Sequence, residues 1–145
     1  MALISNKKIG MHYETLERLE SGIELFGYEV KSIRNGQGSL EGARVLIRGG
    51  EAYVVGIYIP AYQEKNTTKS YDAYRTRRLL LKKNEITRLF NATETKDLTL
   101  VPISLYLKNN LIKCEVGLCK KKQKGDKREN IKKDIARREI KTAGL

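Results

Sequence analysis

From Ala43 the chain reads ARVLIR, then Gly49-Gly50, then EAYVVGIYI. Two β-rich runs joined by residues that tolerate positive φ predict a hairpin. A second hairpin is predicted from LTLVPISLYLK, Asn109-Asn110 and LIKCEVGLC, where Ile112, Cys114, Val116 and Leu118 alternate with mostly polar neighbours and should face the core. In its first arm Leu98 and Leu100 share one parity, whereas Ile103, Leu105 and Leu107 take the other. A bulge at Pro102 would restore the register.

Helical patterning is shorter. GYEVKSIRNG ends at Asn35-Gly36, which suits a helix C-cap, and NEITRLFNATETK begins at Asn84, which suits an N-cap. HYETLERLESGIELFG has no clean period of either kind and is read as a bent strand. Short strands with two or three short helices predict a mainly β fold, a small antiparallel barrel resembling the oligonucleotide-binding type, because closure removes exposed edges.

Composition adds little to the core and much to the tail. The chain has 145 residues, 40% hydrophobic, enough for one compact domain without disulfides or a metal. Its 29 Lys and Arg outnumber 17 Asp and Glu, a formal charge of +12 that favours a polyanionic partner. The excess is uneven: residues 120–145 carry 11 basic and 4 acidic side chains, residues 1–119 carry 18 and 13. The expected organisation is a core over 1–119 and a basic tail over 120–145.

Within the tail, Asp126 followed by Glu129 resembles a capping box, and Glu129 with Lys133 and Asp134 with Arg138 are four apart in the favourable order. Only Ile131 and Ile135 share a helical face. Lys127, Arg128, Lys132, Lys133, Arg137, Arg138 and Lys141 surround the axis, a distribution suited to a helix that orders when enclosed by phosphate. A disordered solubilising tail or a membrane-surface helix is the alternative, the latter weakened by the missing apolar face.

Organised chemistry is not evident. His12 is the one histidine, so a multi-histidine metal site is excluded and a surface position expected. Asn35-Gly36-Gln37-Gly38 lacks the glycine and helix pattern of a nucleotide loop and reads as a turn. Paired carboxylates are easy to find in Glu14, Glu17 and Glu20, but nothing nearby in the sequence predicts a perturbed pKa. Cys114 and Cys119 fit neither a zinc site nor a redox pair, and reduced core thiols are expected. No cofactor is implied. Tyr62, Tyr71 and Tyr74, near Arg75, Arg77 and Arg78, suit stacking on bases, with core packing the alternative for several. The N-terminus lacks a signal-peptide pattern and no apolar run is long enough to span a bilayer, so a cytoplasmic protein is expected.

Asn6-Lys7-Lys8, GYEVKSIRNG, GEAYVVGIYIPAY, RTRRLLLKKNEI, LTLVPISLYLKNNLIKCEVGLCKKK and DKREN occur in an order and spacing that resemble the SmpB family across nearly the whole chain. The resemblance implies a non-enzymatic barrel that clasps the tRNA-like end of transfer-messenger RNA. It further implies a tail that turns helical in the empty messenger channel of a stalled ribosome, near the decoding centre, before peptide tagging. Elongation factor Tu and alanyl-tRNA synthetase would be indirect partners through the charged RNA. A structural protein of the ribosome and a ribonuclease using His12 are the competing classes.

The family's RNA-contacting positions fall on Glu20, Leu80 and Lys113: a phosphate contact for Lys113, an orienting or accepting role for Glu20, and apolar support for Leu80, with core leucine the alternative. Asn6, Lys7, Arg75 and Arg77 join the expected RNA-binding set. Asp126, Lys127 and Arg128 match the family's ribosomal-accommodation segment, and Lys120, Lys121, Lys122, Lys132, Lys133, Ile135, Arg137 and Arg138 complete the expected ribosome-facing set. Four departures from the family pattern stand at Ala73, Asp97, Lys121 and Arg44, the first two expected to be local loop changes.

Overall fold

The computed structural model describes residues 2–62 and 70–122. The predicted tail helix, with Asp126 through Arg138, lies outside them.

Both predicted hairpins form around left-handed turn residues. Strand β1 (Ala2–Ser5), helix α1 (Ile9–His12), β2 (Tyr13–Ile23) and α2 (Gly27–Arg34) precede the first, built from β3 (Arg44–Arg48) and β4 (Glu51–Val55). Gly49 and Gly50 have φ of 58° and 76° and place Arg48 opposite Glu51, the mirror-image turn that matches strand twist. After β5 (Arg77–Leu80) and α3 (Lys83–Thr95), the second hairpin joins β6 (Thr99–Lys108) to β7 (Leu111–Lys121). Asn109 and Asn110, at φ 52° and 63°, pair Lys108 with Leu111.

The register of β6 shifts between Pro102 and Ser104, where the bulge was predicted. Leu100 and Leu105 thereby both enter the core. Ile103 does not join them, contrary to the parity reading: it is the extra residue, and its Cδ1 fills the space where a Cβ on Gly117 would stand, 2.7 Å away. Strand β2 is the bent strand read from the ambiguous run. Its register slips between Thr15 and Glu17, leaving Leu16 52% exposed, and alternation resumes with Leu19, Ser21 and Ile23 inward.

Helix α2 ends as expected, at Asn35 followed by Gly36 with φ 75°. Helix α3 begins earlier than expected: the N-cap is Lys82, not Asn84, because the Glu85 carboxylate accepts the Lys82 amide at 3.0 Å. Its Ile86 and Leu89 are buried in the main cluster. Asp97, where the resembling family has glycine, sits at φ 53°, a backbone region that favours glycine.

The strands close on themselves. Order β6-β3-β4-β5-β2-β7 returns to β6 through the second hairpin, and β1 adds along β6 at Ser104–Tyr106. All described pairings are antiparallel, so the chain folds as the expected mainly β ring with a few helices. Ile33, Val45, Ala52, Val54, Ile57, Leu79, Leu89, Leu105, Cys114 and Val116 fill its interior. Ile112, Cys114, Val116 and Leu118 all face inward as predicted, and both cysteines are free and buried.

Candidate nucleic-acid interface

Strand alternation that sends Leu79, Ser21, Ile23, Ile112 and Cys114 inward sends their neighbours outward. On that outer face Leu80 of β5, Gly22 of β2, Lys113 of β7 and Tyr106 of β6 are registered partners, one row across four strands. Gly22 makes the row compact: a Cβ there would lie 3.1 Å from Leu80 Cβ and 3.2 Å from its Cδ1. Leu80 is therefore free to lean across the glycine, and it is 49% exposed rather than a core leucine.

Glu20 stands two residues before Gly22 on the same face. Its carboxylate accepts Lys108 Nζ at 3.0 Å. That bond, opposed by desolvation and aided by the Tyr106 hydroxyl and the charges of Lys108 and Lys113, holds the Glu20 carboxyl below the ordinary glutamate value. Burial, then the bond and charge of Glu20, push the Tyr106 phenol up to about 12. Beside it Arg18 meets Glu115 at 3.1 Å. The face thus offers ammonium groups for phosphate, a carboxylate acceptor for ribose or base donors, and an apolar ledge for a sugar or base. Glu20, Leu80 and Lys113, named from the resemblance, stand on one outer face, Leu80 and Lys113 on either side of Gly22 and Glu20 two residues before it.

Other expected contacts sit elsewhere. Lys7 is exposed. Asn6 donates through Nδ2 to the Pro102 carbonyl at 3.2 Å, tying the end of β1 to the bulge. Arg77, placed in the RNA-binding set from sequence, is corrected: its side chain is 0% exposed. It donates to Glu29 Oε2 at 2.6 and 2.9 Å, to the carbonyls of Ile57, Arg75 and Ala73, and to the Tyr71 hydroxyl. A guanidinium so consumed positions other groups and contacts no external phosphate. Arg75 is partly exposed at 24%, bonded to both oxygens of Glu29 and stacked on Phe26.

Burial alone would raise the Glu29 carboxyl, but bonds from Arg75, the Phe26 amide and Arg77 outweigh it and hold the group below its ordinary value. Tyr71, desolvated and beside Glu29, is pushed up to about 12. GYEVKS and RTRRLLL, far apart in sequence, meet in this network.

Lys120 and Lys121, read as the start of the tail, are rungs of β7 opposite Glu14 and Tyr13. Lys122 donates its amide to His12 O at 2.9 Å and Nζ to Gly10 O at 2.8 Å, which fixes the root of the tail beside α1. His12 is exposed, and no three His, Cys, Asp or Glu side chains among the described residues are placed to hold a metal. No described helix is long and apolar enough to cross a membrane.

Sequence reasoning missed Tyr106, Lys108, Gly22 and Phe26. The two-residue Asn109-Asn110 turn already sets Tyr106 opposite Lys113, a signal available before the structure. Nothing in the sequence places Gly22 between Leu80 and Lys113.

A family model described as SmpB protein matches residues 3–144. An SsrA-binding protein from Mesoplasma florum is 47% identical over 136 residues, covering 93% of this chain and 91% of the relative. One from Verminephrobacter eiseniae is 42% identical over 141 residues, covering 97% and 90%. A chain from a solved structure described as "tmRNA-SmpB: a journey to the center of the bacterial ribosome" superposes with a TM-score of 0.70 at 36% identity, covering 88% of this chain and 93% of that one.

Proposed function

The chain belongs to the SmpB family, and on that premise we propose that it binds the tRNA-like end of transfer-messenger RNA and accompanies it to stalled ribosomes. The observation that carries this reading is the outer-face row in which Leu80 and Lys113 flank Gly22, with Glu20 two residues before it on the same face. Lys113 neutralises a phosphate; Leu80 covers a sugar or base; Glu20 holds Lys108 in place and accepts from a ribose hydroxyl.

The body performs no covalent step. The charged RNA is supplied by alanyl-tRNA synthetase, carried by elongation factor Tu, and used by the ribosome, all in the cytoplasm. Residues 123–145, with Asp126, Lys127, Arg128, Lys132, Lys133, Ile135, Arg137 and Arg138, act in the vacant messenger channel, where surrounding phosphate favours a cationic helix. Lys120, Lys121 and Lys122 mark the junction between body and tail.

The test is a salt series of dissociation constants for the isolated tRNA-like fragment. Affinity should fall linearly on logarithmic axes, because phosphate contacts release counterions. Lys113→Ala should weaken binding and reduce the slope by about 1, the signature of one lost phosphate contact. An unchanged dissociation constant rejects the assignment.

A further inference from the structure

A second surface is built with comparable care and has no part in that row. The chain has two phenylalanines, Phe26 and Phe90, and both are exposed, at 49% and 43%. Phe26 differs in what holds it. The guanidinium carbon of Arg75 lies 4.0 Å from the centre of its ring, a cation stacked on an aromatic face.

The hydrogen bonds of that guanidinium turn inward: Nε and Nη2 to Glu29, Nη2 to the Glu24 carbonyl, and Nη1 to the Thr76 carbonyl. Its charge is therefore presented through its flat face rather than its edges. Phe26 is fixed by the same carboxylate, its amide donating to Glu29 Oε1 at 2.7 Å while its carbonyl accepts the Glu29 and Val30 amides. One buried acid thus sets both members of the stack before any ligand arrives. Tyr28 adjoins at 5.5 Å, braced edge-on by Tyr71 at 4.9 Å.

We propose that the Phe26–Arg75 stack is a docking platform for an unpaired nucleobase of the bound RNA. This rests on the RNA-binding reading above and adds a contact to it. Every base has a π-face, so a flat aromatic surface accepts one without reading its edge. Immobilised side chains lose little entropy on binding. The occupant is nucleic acid rather than an apolar peptide because the stack contains a guanidinium and residues 1–119, which carry it, hold 18 basic against 13 acidic side chains.

The chain has no tryptophan, so Phe26→Trp provides a single reporter within the platform and Phe90→Trp a matched control on α3. Adding the tRNA-like fragment of transfer-messenger RNA, at an ionic strength where the natural chain binds, should quench emission from Phe26→Trp and leave Phe90→Trp unchanged. Phe26→Ala should weaken binding about 5- to 150-fold with the same salt slope, since no phosphate contact is lost. Phe26→Tyr should bind as the natural chain does.

Emission from Phe26→Trp that ignores bound RNA, equal quenching in both reporters, or undiminished affinity of Phe26→Ala overturns the platform. If these occur while Lys113→Ala still weakens binding, the platform alone falls. If the natural chain fails to bind the fragment, the RNA-binding reading falls and takes the platform with it.

Discussion

The Glu29 carboxylate has no contact with solvent yet stays ionised, because two guanidinium groups and a backbone amide meet it. Removing one member of a buried pair strands the other, at a cost of about 3–5 kcal/mol. Glu29→Ala should therefore destabilise the fold by that order in urea denaturation. Because the folded group titrates below its ordinary 4.5, its contribution is complete above that pH and is lost as pH falls through the lower folded value. The natural chain should lose stability on acidification below about 4.5, whereas Glu29→Gln, destabilised at neutral pH, should lack this component. Gly22→Ala tests a different residue-scale idea. The new Cβ would stand 3.1 Å from Leu80 Cβ and 3.2 Å from its Cδ1, so β5 must give by a few tenths of an ångström and the Leu80 side chain must turn away. Affinity for the tRNA-like fragment should drop at a temperature where the variant is still folded; retained affinity would show that the Leu80 ledge is not used.

At the scale of elements, the hairpins depend on turn residues that accept positive φ. Asn110 at φ 63° tolerates the left-handed region; a β-branched residue does not. Asn110→Val should cost about 1–2 kcal/mol and Asn110→Gly should cost little, both read from urea midpoints. These elements were legible in sequence because period and turn chemistry are local. Leu98 and Leu100 against Leu105 also exposed the bulge by their parity. What was illegible depended on partners distant in the chain. The start of α3 was misplaced because Asn84 looks like a cap, and only the structure shows Glu85 reaching back to Lys82. Arg77 looked like an RNA-facing cation because its carboxylate partner stands 48 residues earlier. Ile103 looked like core because its true neighbour, Gly117, is defined only once β6 and β7 pair.

For the whole molecule, the function proposed above would divide labour between the closed ring and residues 123–145. The row on the outer face uses residues from β5, β2, β7 and β6, none of them in the tail. Truncation after Lys122 should leave affinity for the tRNA-like fragment nearly intact and abolish tagging on stalled ribosomes. A large loss of RNA affinity in that truncation would reject the division. The boundary itself is mechanical. Strand β7 is hydrogen-bonded on both sides, to β2 and to β6, as far as Cys119, and to β2 alone at Lys120 and Lys121. A tug along that strand's axis would load the β2 ladder first and, from Cys119 inward, two ladders in shear together.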